Sequence, residues 1–241
     1  MAPDHFTAVA ARYAAYRPHY PAALVDALGQ GETAWDVGTG NGQLAVALAD
    51  HYAHVIATDL SRAQLAAAVP HPRVEYRCTP AEASGLPDAS VDLVVAAQAA
   101  HWFDWPRFVA EVARVARPGA LVALVSYGNA IVDGAAGREL ADYATRVVGS
   151  YWPAGREHVE NGYRDLVLPW TPVTPPTIAM TAEWTRDQLA GYVSSWSATA
   201  RLVEHEGPAA FDAFCARLAA TWPDNEPRSI RWPLTLRFAR R

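Results

Sequence analysis

The stretch WDVGTGNGQLA, residues 35–45, decides how this chain is read. Trp35, Asp36 and Val37 end an apolar run of strand length, Gly38, Gly40 and Gly42 follow at every second position, and Gln43, Leu44 and Ala45 open a segment of helical period. Glycine suits such a junction because the turn takes backbone conformations closed to other residues, and because a ligand can approach the main chain without a Cβ in the way. The start of the helix adds N–H groups that suit a carboxylate. Strand, glycine turn and helix together indicate the first unit of a doubly wound α/β sheet, with its ligand crevice at the carboxyl ends of the strands.

Outward from this junction, apolar runs of strand length alternate with Ala-rich helical segments, the pattern of a parallel sheet covered on both faces. TAWDVG (33–38), HVIATD (54–59), RVEYRC (73–78), VDLVVAAQ (91–98) and LVALVSYG (121–128) are the expected strands. QLAVALADHY (43–52) sets Leu44, Ala47, Leu48 and His51 on one helical stripe. PRFVAEVARVA (106–116) does the same with Phe108, Val109, Val112 and Val115 before Pro118-Gly119 stops it. The alternation lapses after residue 128, and 151–177 is rich in Pro, Trp and Gly, so 129–176 reads as an insertion or lid. A strand near 177–184, helices near 186–197 and 208–221 and a final strand at 231–239 complete a single domain, 1–241: residues 1–30 as N-terminal helices, 31–128 as the core, and 177–241 as the closing strands and helices.

Composition removes several classes of function. The formal charge is −5 and the cations are scattered apart from Arg237, Arg240 and Arg241, so neither a nucleic-acid backbone nor a membrane is an expected partner. Every cation is arginine. Without lysine the chain builds neither a Schiff-base nucleophile nor a Walker-type phosphate loop. Cys78 and Cys215 form no disulfide framework and no metal spacing, and His51 and His54 have no ligand set beside them, so no metal is expected. No segment reads as a signal peptide or a membrane span, which points to the cytoplasm; the Ala, Arg, Pro and Val usage suggests a bacterial source.

Asp59 closes the second strand, where a carboxylate can accept two hydrogen bonds from a ribose diol. Capping the next helix is the other role open to it, although Ser61 is also placed to do that. Dinucleotide enzymes share both the glycine turn and the acidic residue, but their fingerprint carries Gly or Ala where this chain has Gln43.

Taken in order, YAAYRPHYP (13–21), WDVGTGNG (35–42), VIATDLS (55–61) and TPAEASGLPDASVDLVVAAQAAHWFD (79–104) resemble the class I S-adenosylmethionine-dependent methyltransferases, in particular the small-molecule branch that includes trans-aconitate methyltransferase-like (methyltransferase type 11) enzymes. The resemblance implies a Rossmann-like seven-stranded sheet with S-adenosyl-L-methionine as cofactor. It implies that Gly38, Thr39, Gly40 and Asn41 line the methionine part, that Asp59 grips the ribose, and that Leu60, Ala81 and Glu82 flank the adenine. Gln98 then lies under the sulfonium, while Phe6, Tyr13, Tyr16 and Arg17 belong to a helix folding over the cofactor. Where the family often has a longer acidic helix, this chain has Ser84-Gly85.

His101, just past the fourth strand, stands where the acceptor must be and suits a general base; packing is its alternative role. Trp102, Trp105, Tyr127 and Tyr20 are the candidate walls of an aromatic-lined acceptor pocket. The expected reaction is methyl transfer to a small molecule: a secondary metabolite, with an aromatic or indole-like acceptor in view, or a small carboxylic acid. Two alternatives stay open, a protein of this fold that binds cofactor without methylating and an NAD(P)-dependent oxidoreductase. Nucleic-acid amino methyltransferases commonly carry Asn/Asp-Pro-Pro-aromatic after the fourth strand; here the phrase is AAQAAHWFD (96–104).

Overall fold

The computed structural model describes residues 16–241. Phe6 and Tyr13 lie outside the described residues. The chain divides into two compact units. The first comprises His19–Tyr127, Glu157–Ile178 and Leu234–Arg241. It opens with helix α1 (Ala22–Ala27) and continues with β1 (Gly31–Val37), α2 (Gln43–Leu48), β2 (Tyr52–Thr58), α3 (Arg62–Ala66), β3 (Val74–Arg77), β4 (Val91–Ala97), α4 (Trp105–Val115) and β5 (Ala116–Tyr127).

β6 (Ile131–Val132), α5 (Gly134–Asp142) and a π-helical turn (Tyr143–Val147) follow, then α6 (Arg156–Glu160) and β7 (Thr171–Val173). The chain ends with β8 (Met180–Trp184), α7 (Arg186–Ser194), α8 (Ser197–Glu206), α9 (Ala209–Thr221), β9 (Arg228–Trp232) and β10 (Leu234–Arg240).

The first unit is built on a seven-stranded sheet in the order β3-β2-β1-β4-β5-β10-β7. β1 to β5 are mutually parallel, and β10 runs antiparallel to both β5 and β7. Successive residues of each strand point to opposite faces, which explains the unbroken apolar runs. Ala34, Leu93, Val95, Ala123 and Val125 meet Leu24 of α1 and Leu44 and Leu48 of α2 on one side. Trp35, Val37, Val94 and Val122 meet Phe108, Val112 and Val115 of α4 on the other. Each fully buried aliphatic or Phe side chain contributes roughly 1.5–3 kcal/mol relative to exposure. Trp35 keeps its indole N–H satisfied inside that core by donating to Thr58 Oγ1 at 2.9 Å.

The order reverses between β1 and β4: the chain leaves β1 toward β2 and leaves β4 toward β5. That switch opens the loops after β1 and β4 beside one another.

The second unit holds residues 128–156 and 179–233, with the described residues 16–18. Its three-stranded sheet, in the order β6-β9-β8, is antiparallel. Its core is aromatic. Tyr143 lies 4.4 Å from Phe214 between ring centroids, and Trp196 packs edge-on against Tyr192 at 5.6 Å. Trp184 and Trp232 meet at 4.7 Å.

Several expected boundaries move. The helix expected to reach residue 52 ends at Leu48, because Tyr52 already pairs in the sheet opposite Gly31. The fifth strand begins at Ala116, not at 121, since Ala116 pairs with Val91 before a register shift. The helix expected at 186–197 ends at Ser194, and a further helix, Ser197–Glu206, follows where none was expected, the two separated where Trp196 takes extended backbone. The final strand is also two: β9 pairs with β6 and β8, β10 with β5 and β7, and Pro233 lies between them. α5 and the π-helical turn lie where an irregular insertion was expected.

Candidate functional site

The loop after β1 is made by three left-handed glycines, with φ of +70° at Gly38, +59° at Gly40 and +82° at Gly42. Gly38 and Thr39 donate their N–H groups to the Thr58 carbonyl at 2.8 and 2.9 Å, fixing the loop to the end of β2. A Cβ on Gly38 would fall 2.4 Å from the Ala99 Cβ, so the loops after β1 and β4 touch at the switch point. At Gly42 a Cβ would fall 2.3 Å from the Tyr76 hydroxyl, whereas at Gly40 it would meet nothing within 4 Å. Gly40 is therefore the position of this turn where the main chain stands open to a ligand.

Asp59 is tied to the same loop. Its Oδ2 accepts from Gly40 N–H at 2.8 Å and its Oδ1 from Ser61 N–H at 2.7 Å. Each oxygen keeps acceptor capacity for one more donor, which matches the two hydroxyls of a ribose. The helix-capping role falls to Ser61, whose Oγ accepts from Gln64 N–H at 3.3 Å.

One acidic residue of this stretch was assigned no role from the sequence. Asp36 is 1% exposed, and its Oδ2 accepts from the Thr39 hydroxyl at 2.6 Å. Burial pushes its carboxyl up to about 7; the Thr39 hydrogen bond pulls against this, the Asp59 carboxylate adds to the rise, and the Ala45 backbone opposes it. An acid near the end of an apolar strand was the available signal.

The remaining predicted cofactor residues sit on the neighbouring loops. Asn41 is buried in the glycine turn, and Leu60, just past β2, is 69% exposed. Ala81 is packed into the core beside Leu86 and Phe108. Glu82 accepts the Asp104 N–H at 2.8 Å, joining the loop after β3 to the start of α4. Gln98 takes a left-handed φ of +55°, uncommon for a residue with a side chain, and its amide donates to the Tyr127 carbonyl at 2.9 Å. Gly38, Thr39, Gly40, Asn41, Asp59 and Gln98 thus come together around the ends of β1, β2 and β4. Tyr16 and Arg17 belong to the second unit, where the Tyr16 ring packs over Gly191 and Arg17 donates to the Ser195 carbonyl at 3.3 Å.

Of the predicted acceptor-side residues, Tyr20 and Tyr127 meet edge-on at 6.3 Å. His101 lies in a 3₁₀ turn past β4, beside Trp102, which is 59% exposed. Trp105 is instead taken up by packing: its ring rests on Phe108 at 5.5 Å and its N–H donates to the Val167 carbonyl at 3.1 Å. Four of the nine tryptophans, Trp35, Trp196, Trp222 and Trp232, are buried in cores. Tyr163 was not predicted at all; its hydroxyl lies 2.9 Å from His101 Nδ1. It comes from the irregular segment after α6, which carries no sequence signal of such a partner. Among the described residues no group of three or more metal-ligating side chains gathers, and no helix is long and apolar enough to cross a membrane.

Comparison with known proteins agrees with this geometry. A methyltransferase-domain family model matches residues 35–124, which span the glycine turn to β5. A curated protein of Dictyostelium discoideum that carries a methyltransferase name is 32% identical over 210 residues, covering 83% of this chain and 80% of its own length. A solved structure from Anaeromyxobacter dehalogenans, described as a type II methyltransferase, is 39% identical with a TM-score of 0.86, over 94% of this chain and 98% of that one. A methyltransferase structure from Anabaena variabilis, 18% identical with a TM-score of 0.57 over 91% of this chain and 98% of that one, shares the fold. With the seven-stranded order, the switch-point glycine turn and these relatives in agreement, the chain belongs to the class I S-adenosylmethionine-dependent methyltransferases.

Proposed function

We propose that this chain methylates a small-molecule acceptor and that its cofactor is held by the loops at the ends of β1, β2 and β4. The observation that carries the reading is the joining of Gly40 to Asp59, which sets a carboxylate beside the one open glycine of the turn. In this reading Gly38, Thr39, Gly40 and Asn41 hold the methionine part, Asp59 the ribose, and Leu60, Ala81 and Glu82 flank the adenine. Gln98 stands at the reacting end, held to the Tyr127 carbonyl.

When bound, S-adenosylmethionine supplies a methyl group already activated on a sulfonium. What the protein adds is alignment and exclusion of water, and alignment alone contributes about 7–11 kcal/mol in well-oriented systems. His101, Trp102, Tyr20 and Tyr127 are the residues we assign to the acceptor side. Small-molecule substrates are favoured over nucleic acid by the net charge of −5 and the dispersed arginines.

The test is release of S-adenosylhomocysteine from S-adenosylmethionine, measured against a panel of small carboxylates, phenols, alcohols and amines, with RNA and an unrelated protein in parallel. Turnover confined to small molecules is expected. Turnover on RNA or protein alone would count against the acceptor class.

A further inference from the structure

Between β3 and β4 the chain runs from Cys78 to Ser90 with neither helix nor strand, and Gly85 within it takes a left-handed φ of +71°. Backbone without a ladder of its own needs other partners where it is packed against a core. Here α4 supplies them. Glu111, which is 8% exposed, accepts through Oε1 from the Ser84 N–H at 2.8 Å and from the Ser84 hydroxyl at 2.5 Å. Ser84 Oγ in turn accepts from the Leu86 N–H at 3.2 Å. Arg114, about one turn further along the helix, holds Glu111 through two donors, Nε to Oε2 at 3.0 Å and Nη2 to Oε1 at 2.7 Å. Its Nη1 reaches the loop itself, donating to the Leu86 carbonyl at 2.7 Å and to Asp88 Oδ1 at 2.6 Å.

Both ends of α4 add to this hold. At its start the Asp104 N–H donates to Glu82 at 2.8 Å, and at its end the Arg114 and Val115 carbonyls accept from the Ala89 and Ser90 N–H groups at 2.9 and 2.8 Å. Ala81 and Leu86 are buried in the cluster that contains Phe108 and Val112 of the same helix. A buried carboxylate is costly unless it is paired and hydrogen-bonded, and Glu111 is both, through a two-point guanidinium contact and two donors of Ser84. Stability alone does not call for such a group, since well-packed apolar residues often replace a buried ion pair at no loss. What the pair does that apolar residues do not is fix the backbone of Ser84 and Leu86. A wall ordered in advance spares a ligand the cost of ordering it.

We propose that Glu111 and Arg114 are positioning residues for the cofactor: they hold the loop after β3 in shape before any ligand arrives, so that Ala81 and Glu82 stand as a ready wall for the adenine. The proposal rests on the reading that Ala81 and Glu82 flank the adenine. Glu111 and Arg114 act through Ser84 and Leu86.

The test compares the full chain with E111A in two measurements. Amide hydrogen exchange is followed without ligand, and calorimetry is done with S-adenosylhomocysteine and with S-ribosylhomocysteine, which has the same ribose, sulfur and amino-acid end but a hydroxyl in place of adenine. In E111A the amides of residues 83–90 are expected to exchange at least about tenfold faster, S-adenosylhomocysteine to bind about tenfold more weakly, and S-ribosylhomocysteine to bind as before. Unchanged exchange overturns the proposal, as does S-adenosylhomocysteine affinity unchanged beside faster exchange. Equal weakening of both ligands, the mark of a general loss of structure, overturns it too. S84A, which leaves the Glu111–Arg114 pair in place, is read in the same way where E111A does not fold. Failure of S-adenosylhomocysteine to bind the unsubstituted protein overturns the cofactor reading and the adenine role with it, while exchange in the unliganded proteins still decides whether Glu111 holds the loop.

Discussion

Gly40 and Gly42 share a left-handed backbone and differ in what surrounds them. Alanine at either pays for that backbone, about 1–2 kcal/mol. At position 42 the new methyl also meets the Tyr76 ring, which adds roughly 1–3 kcal/mol of overpacking. The two variants are therefore expected to divide the properties of the turn. Gly42→Ala should lose more stability in a urea titration, while Gly40→Ala, with open space before its Cβ, should lose only the backbone cost but at least about tenfold in S-adenosylmethionine affinity. Equal effects of both substitutions on binding and on stability would mean that Gly40 is not the point of ligand approach. At this scale the sequence was most legible, since glycine at every second position and an acid at the end of a strand have few structural explanations. Tyr163 was not legible: it lies far along the chain from His101, and only the packing of the sheet joins them.

Helix ends were less readable than helix faces, because an apolar stripe continues across a break that capping decides. Between α7 and α8 the spacing runs on, yet Ser195 turns its hydroxyl back to the Tyr192 carbonyl at 2.6 Å and the backbone extends at Trp196. At the start of α7 the capping signal was present in the sequence as Thr185 with Gln188 three residues on. The structure has both halves of that capping box, with Gln188 N–H donating to the Thr185 hydroxyl and Thr185 N–H to the Gln188 side chain. Thr185→Ala is expected to cost about 1 kcal/mol and Thr185→Ser much less, both read by chemical denaturation. Equal losses would mean that the Thr185 methyl, not the cap, matters. β9 and β10 were read as one strand because their residues alternate without interruption; Pro233, which lacks an N–H, is where the pairing passes from one sheet to the other.

For the molecule as a whole, fold class followed from the order of strands and helices, and that order needs only the period of the apolar residues. The second unit was the least legible part, since its aromatic core is assembled from segments whose period is interrupted by Pro and Gly. Global stability carries a signature of the first strand. With the Asp36 carboxyl raised by burial from 3.8 to about 7, the folded chain binds more protons at this site than the unfolded chain between those values. The contribution of Asp36 to stability is therefore most favourable at acid pH and falls as pH rises toward about 7, then levels. Asp36→Asn removes that dependence. Its stability relative to the unsubstituted protein should rise between about pH 4 and about pH 7, by on the order of a few kcal/mol, in urea titrations across that range. A difference independent of pH would mean that Asp36 is ionised throughout.

Whether the joined loops of Gly40 and Asp59 form the cofactor site is read by isothermal titration. The unsubstituted protein and Asp59→Ala would each be titrated with S-adenosylmethionine, S-adenosylhomocysteine, NAD and NADP. Saturable binding of the first two only is expected, weakened about tenfold or more in Asp59→Ala, which is at least about 1.4 kcal/mol. S-adenosylmethionine binding untouched by the loss of Asp59, or binding of NAD or NADP alone, would contradict that role of the two loops.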